Sequence, residues 1–177
     1  MLFRSSGDYA GTGIARAGDV TGDGVADYVI GASGYDGGGV YGGRAYLLAG
    51  PLAEGGALAD ADATVTGLGA PPAAPPHGAF GVGDFVGDAV LGPGDLDGDG
   101  IDDLALGASG DASAGPSTGK VAVFRGPVAG AWSVADADLT LAGVVAGGYA
   151  GSPIAAAGDV TGDGLADLWV SVDATGP

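Results

Sequence analysis

The sequence predicts an all-β fold made of repeated four-stranded antiparallel units. Three observations lead to this prediction: the chain contains 40 glycines, its hydrophobic residues (46%) fall in short blocks, and one pattern occurs three times. Short apolar blocks between Gly-rich turns are typical of many brief strands, whereas a disordered chain would have few hydrophobic residues. None of the blocks shows the i, i+3, i+4 spacing of an amphipathic helix. The units must therefore be assembled from strands.

The repeat is clearest in a stretch that ends in an acidic loop. Residues 9–19 align without gaps on residues 85–95 and on residues 149–159. Tyr9 and Phe85 are 76 positions apart (85 − 9), and Phe85 and Tyr149 are 64 apart (149 − 85). The longer spacing fits an insertion at residues 70–83, which contains four prolines. We expect this insertion to be a surface loop between units.

Each copy continues through apolar segments in the same order. The second segment follows the acidic loop, at 28–33 and 104–109, and the third, at 44–50 and 120–126, leads directly into a proline. A fourth segment at 63–67 matches 139–143. The predicted organisation is a lead-in (1–8), a first unit (9–69), an insertion (70–84), a second unit (85–148) and a partial third unit (149–177).

Four-stranded units that repeat at this spacing predict the blades of a β-propeller, since solenoid repeats are usually shorter. The chain holds about two and a half such blades, whereas a closed ring needs about four to eight. Either the chain is part of a longer propeller, or several copies complete the ring by oligomerisation. We favour the first explanation, because a chain that ends in mid-blade leaves a bare strand edge.

The central acidic loop, 95–103, has the pattern of a calcium site. Calcium takes six to eight oxygen ligands in a flexible geometry, and unneutralised carboxylates this close would repel one another. Gly100 allows the sharp turn, and the carbonyl of Ile101 would supply a ligand at position 7. An EF-hand loop would place a Glu at position 12, where this chain has Leu106, so the loop is of another type. The predicted side-chain ligands, at positions 1, 3, 5 and 9, are Asp95, Asp97, Asp99 and Asp103.

The first and third loops have one carboxylate fewer. Thr21 and Thr161 occupy position 3, where a hydroxyl or a water could take the place of the carboxylate. Calcium affinity follows the charge of the ligand set, so these two sites are predicted to be weaker than the central one. Up to three calcium ions are therefore expected. The remaining predicted ligands are Asp19, Asp23, the Val25 carbonyl and Asp27 in the first loop, and Asp159, Asp163, the Leu165 carbonyl and Asp167 in the third.

Composition excludes several classes of function. A formal charge of −17 argues against nucleic acid or an anionic membrane as a partner, because both require a basic face. The chain has no Cys and a single His, His77, so a Ser-His-Asp or Cys-His catalytic centre has few available parts. We expect no catalytic residues and no enzyme activity. Trp132 and Trp169 are expected to pack within blades rather than to form a sugar-binding platform.

The order of these elements resembles the FG-GAP repeat of integrin α-subunit propellers and their bacterial relatives. The second unit supplies Phe85 and Gly87, the full Asp loop, a strand that ends in residues 107–109, and a Gly-Lys-Val-Ala-Val-Phe strand at 119–124. This chain departs from the pattern at Ser33 and Ser109, which replace a proline. It departs again in its third unit, where Ser171 and Val172 replace Gly-Ala.

The resemblance implies a calcium-stabilised scaffold for interaction or adhesion, with the loops on one face of the propeller. A protein or carbohydrate ligand would then bind the opposite face, and open blade edges would permit self-association. An extracellular or cell-surface location is implied as well, because weak calcium sites suit the millimolar calcium found there. The alternative is an accessory propeller of a secreted hydrolase or lyase whose catalytic domain lies outside this chain. Neighbouring sequence would separate the two hypotheses.

Overall fold

The computed structural model describes residues 7–37, 39–52, 54, 57–69 and 83–173, and it is all-β, as predicted. Residues 70–82 of the insertion, with His77 and its four prolines, lie outside these residues, as do residues 1–6 of the lead-in and residues 174–177 of the third unit. Short 3-10 turns occupy Leu58–Asp60 and Val134–Asp136. No helix among the described residues is long and apolar enough to cross a membrane. The strands are β1 (Ala10–Gly18), β2 (Asp27–Ala32), β3 (Arg44–Leu48), β4 (Ala63–Thr66), β5 (Val90–Gly94), β6 (Asp103–Ala108), β7 (Lys120–Phe124), β8 (Gly130–Ser133), β9 (Leu139–Ala142), β10 (Ile154–Gly158) and β11 (Asp167–Val170).

The strands form three sheets that follow the three copies of the repeat. Sheet 1 has the order β1-β2-β3-β4-β8, sheet 2 has the order β5-β6-β7-β9, and sheet 3 consists of β10 and β11. Neighbouring strands within one copy are antiparallel. Each acidic loop joins the first two strands of its sheet, as the sequence predicts.

Strand β8 is the feature of the fold that the sequence did not indicate. It belongs to the second copy, between β7 and β9, yet it pairs with the last strand of sheet 1 in the parallel direction, with Val65 opposite Trp132. The indole of Trp132 stands edge-on to the ring of Phe124 in sheet 2, with ring centroids 5.8 Å apart. The second copy therefore covers the outer edge of the first.

Sheet 2 lies between its two neighbours, and both of its faces are apolar. Leu104, Leu106 and Phe124 belong to the core shared with sheet 1. Val121 and Val123, on the other face, belong to a second core to which sheet 3 contributes partly buried side chains. This two-sided burial explains why β6 and β7 are buried throughout.

Adjacent sheets approach each other at matched glycines. A Cβ on Gly31 would overlap the carbonyl oxygen of Gly87, and a Cβ on Gly107 would overlap that of Gly151 in the same way. Both pairs occupy equivalent positions of the repeat, so the two junctions are built alike. Ser171 takes the corresponding place in sheet 3, where its hydroxyl donates to the Pro153 carbonyl at 2.8 Å.

Candidate metal centres

The three acidic loops share one backbone conformation. The glycine before position 1 and the glycines at positions 4 and 6 all have positive φ in every copy. In the central loop these values are 100° at Gly94, 86° at Gly98 and 90° at Gly100. Residues with a Cβ rarely adopt this conformation, so the glycines are what allow the loop to turn as it does. The prediction that Gly100 permits a sharp turn is consistent with this geometry.

The central loop brings three of its four predicted carboxylates together. Ligand oxygens of Asp95, Asp97 and Asp99 all lie within 4.8 Å of one another. Asp95 accepts hydrogen bonds from the backbone N–H groups of Gly98 at 2.6 Å and Gly100 at 2.9 Å. These bonds, led by the one from Gly100, lower the pKa of Asp95. The loop therefore keeps this carboxylate charged.

Asp103, the fourth predicted ligand, lies apart from this group. It is fully buried, and its two oxygens accept the N–H of Leu96 at 2.8 Å and of Gly126 at 3.0 Å. Burial raises the pKa of Asp103, and the two amide bonds act in the opposite direction. This carboxylate ties the loop to the turn that follows β7, a role that the sequence did not reveal.

The first loop follows the same plan with fewer charges. Asp19 accepts the N–H groups of Asp23 and Gly24, each at 2.9 Å. Asp27, which is fully buried, accepts those of Thr21 at 2.8 Å and Gly50 at 3.0 Å. The Thr21 hydroxyl oxygen is the one buried side-chain polar atom within the described ranges that has no hydrogen-bond partner. A bound cation or its water would satisfy that oxygen.

The third loop repeats these bonds at a more exposed position. Asp159 accepts the N–H groups of Gly162 at 2.6 Å and Gly164 at 2.9 Å, and Asp167 accepts that of Thr161 at 3.0 Å. In all three loops the residue at position 7 donates its N–H to the carboxylate at position 5, over 2.8 Å from Val25 to Asp23, 2.8 Å from Ile101 to Asp99 and 3.0 Å from Leu165 to Asp163.

Two basic side chains of the second copy form ion pairs that were not singled out from the sequence, one beside the central loop and one at the far end of β7. Arg125 pairs with Asp97 at 3.2 Å, so the loop with the most carboxylates also has a cation beside it. Such an exposed pair contributes little to stability, but it offsets part of the charge available to a metal. Lys120 pairs with Asp111 at 2.7 Å in a largely buried contact. Although burial raises the pKa of Asp111, the bonds from Lys120 and Ser113 outweigh it and lower the pKa overall.

The two tryptophans differ from each other. Trp132 is partly buried against the core shared by sheets 1 and 2, as the sequence led us to expect. Trp169 is 63% exposed on β11, so it does not pack inside the fold. Its position on the outermost described sheet is the physical reason, because no described strand covers that face.

Comparison with known proteins supports the resemblance in the central copy. Residues 89–124 match the family model of the FG-GAP repeat. The match covers β5, the central loop, β6 and β7, the elements that position the carboxylate group. No curated protein matches the chain.

Proposed function

We propose that this chain is a calcium-stabilised β-propeller segment that serves as a non-catalytic scaffold for interaction or adhesion. The observation that carries the proposal is the group of Asp95, Asp97 and Asp99 in the loop of a segment that matches the FG-GAP repeat. The chemistry fits calcium, a hard cation that prefers carboxylate, hydroxyl and carbonyl oxygens. The unpartnered buried oxygen of Thr21 fits the same assignment in the first loop.

The mechanism that we propose for the metal is local. Calcium in the central loop would be held by Asp95, Asp97 and Asp99, with the Ile101 carbonyl and Asp103 completing the predicted set. The ion supplies positive charge that offsets repulsion between these carboxylates. Asp103 already links the loop to the turn after β7, so a loop made rigid would also fix the register of the first three strands of its sheet.

We further propose that the sheets are successive blades, two complete and one partial. The isolated bridges Gly43–Val86 and Gly119–Ala150 support this arrangement, because they occur at equivalent positions of the two junctions. A ligand, either protein or carbohydrate, would bind the face opposite the calcium loops. An extracellular or cell-surface setting suits weak sites of this kind.

The calcium proposal is tested by thermal unfolding in excess calcium and in excess chelator. When the free calcium concentration is about 100 times the Kd of a site, binding at that site stabilises the folded state by about 2.7 kcal/mol. For a chain of this length that corresponds to a Tm increase of roughly 5–10 °C per site. Equal Tm values under the two conditions would exclude calcium stabilisation.

The ligand assignment is tested by Asp99→Ala, with Glu54→Ala as the matched control. Both changes remove one exposed carboxylate, but only Asp99 belongs to the carboxylate group. Calorimetric titration is expected to show one calcium fewer for Asp99→Ala and an unchanged number for Glu54→Ala. An unchanged number for both variants would contradict the assignment.

Self-association is proposed through the outer edge of sheet 2. All four residues of β9 are exposed, and within the described part of the chain no strand pairs with its outer side. An uncovered edge strand is a template for pairing with another chain. Sedimentation velocity is expected to show concentration-dependent association that Leu141→Lys weakens and Leu52→Lys, a control at another exposed leucine, does not. A monomer at all concentrations would overturn this proposal.

A further inference from the structure

Asp102, which is not among the predicted ligands, joins the central loop to the first loop. Its carboxylate accepts the backbone N–H of Asp19 at 2.8 Å, and its own N–H donates to the Asp19 carbonyl at 3.2 Å. Asp19 holds position 1 of the first loop, and its side chain organises that loop through the N–H groups of Asp23 and Gly24. Asp102 itself stands between positions 7 and 9 of the central loop. One residue of the second site thus holds the leading residue of the first.

The junction between the central and third loops has only half of this link. Ala166 is the equivalent of Asp102, and its N–H donates to the carbonyl of Asp95 at 2.9 Å. The methyl side chain of Ala166 cannot accept a hydrogen bond, so the N–H of Asp95 has no counterpart of the bond that the Asp19 N–H donates to Asp102. The backbone contact is therefore common to both junctions, and the carboxylate contact is specific to the first.

The glycine before position 1 makes room for the carboxylate. A Cβ on Gly18 would overlap the carboxylate of Asp102, whereas a Cβ on Gly94 would meet only the Cβ of Ala166, at 3.2 Å. Both glycines have positive φ, 79° and 100°. The junction between the central and third loops therefore has the backbone to accept a carboxylate at position 166 but carries none.

We propose that Asp102 is a positioning residue that couples calcium binding at the first and central loops. This inference rests on the proposed calcium function. An ion that orders the central loop also fixes the position of Asp102. Asp102 in turn holds the N–H and carbonyl of Asp19, so the entropic cost of ordering the first site falls. The Asp102 carboxylate also offsets repulsion between two nearby divalent cations. By linkage, each site then raises the affinity of the other by the same factor.

The test measures calcium affinity at each loop separately, by NMR titration of the amide signals of Gly24, Gly100 and Gly164. Disabling the central loop with Asp99→Ala is expected to lower first-loop affinity about 5-fold or more, a typical allosteric coupling. Third-loop affinity is expected to fall less. In an Asp102→Ala background, which keeps the backbone contact, Asp99→Ala should lower first-loop affinity no more than it lowers third-loop affinity, which closes a double-mutant cycle.

Two further variants separate the parts of the link. Asp102→Asn keeps an acceptor for the Asp19 N–H and removes the charge, so coupling that survives in it is carried by the hydrogen bond. Ala166→Asp supplies the missing carboxylate, and it is expected to make third-loop affinity depend more strongly on the central loop. In chelator, Asp102→Ala is expected to speed hydrogen exchange at the Asp19 amide, and unchanged exchange would show that the contact does not form.

The outcomes distinguish the two proposals. If the loops bind calcium but Asp99→Ala leaves first-loop affinity unchanged, the coupling is overturned and the calcium function still stands. Absence of calcium binding at every loop would overturn both. Coupling that persists undiminished in Asp102→Ala would exclude the Asp102 carboxylate as its carrier.

Discussion

Sheets 1 and 2 each contain four equivalent strands of the repeat, and they differ in what covers the outermost of the four. In sheet 1, Val65 of β4 is 1% exposed, because sheet 2 packs against its face and β8 pairs with its edge. In sheet 2, the equivalent Leu141 of β9 is 39% exposed. The side chain of Leu141 lies on the same face as that of Val121, its partner across the strands, yet only Val121 is buried. This difference indicates that the outer strand of one copy is buried by residues of the following copy and not by residues of its own copy.

The same comparison explains how the copies depend on one another. Sheet 2 is covered on its inner strands by β10 and β11, and its outer strand has no such cover among the described residues. A repeat of this kind buries its apolar faces by stacking, so each copy is completed by its neighbour. Three predictions test this view, from the largest expected effect to the smallest.

The largest effect is expected at the glycines where adjacent sheets meet. Gly107→Ser places a Cβ on the carbonyl oxygen of Gly151, which is backbone and cannot move aside easily. We expect a loss of about 3 kcal/mol or more in the free energy of unfolding, or separation of sheet 3 from sheet 2. Gly31→Ser should act similarly at the first junction, and Gly7→Ser, which meets nothing within 4 Å, is the control. Denaturant unfolding measures all three, and a neutral Gly107→Ser would contradict close stacking.

The second prediction uses the matched pair at the outer strands. Val65→Lys buries an ammonium group in the core between sheets 1 and 2, so we expect it to cost about 3 kcal/mol or more. Leu141→Lys changes an exposed side chain at the same repeat position and is expected to stay within about 0.5 kcal/mol of the original chain. Chemical denaturation of both variants gives the comparison directly. Equal costs would mean that the two outer strands are covered alike in solution.

The smallest effect concerns pH and distinguishes the second copy from the others. Asp88 occupies the place of Thr12 and Ser152, and burial raises its pKa to about 6, although the hydroxyls of Ser109 and Ser152 lower it in part. A carboxyl with a pKa higher in the folded than in the unfolded chain binds more protons when folded, so its contribution to stability falls as pH rises from about 4 to 6. Asp88→Asn should remove that fall.

The measurement is the difference in the free energy of unfolding between Asp88→Asn and the original chain across pH 4–7. The difference cancels the contributions of the other carboxyl groups, which both proteins share. We expect it to grow in favour of the variant as pH rises and to level off above about pH 6. A constant difference over this range would show that folding does not raise the pKa of Asp88.

Much of the fold was accessible from sequence because it follows from local chemistry. Glycines at fixed loop positions specify a backbone that only glycine adopts easily, and the acidic loops therefore fall between the first two strands in every copy. Short apolar blocks between Gly-rich turns specify strands. Strand β8 was not predicted because its sequence, Gly130–Ser133, has no alternating pattern, and because its partner strand lies in another copy.

The candidate metal site also has features that follow from the sequence and features that depend on the tertiary structure. The sequence by itself determined which residues could bind calcium, because carboxylates at alternate positions around a glycine turn are visible without any structure. Only the tertiary structure decided that Asp103 and Asp27 turn toward backbone amides in the buried part of their loops, and that Asp102 reaches Asp19 in another copy. The contacts of Asp27 and Asp103 join residues 23 positions apart that strand pairing within one sheet brings together. The contact of Asp102 joins residues 83 positions apart in neighbouring sheets, so it depends on sheet stacking and on no local rule.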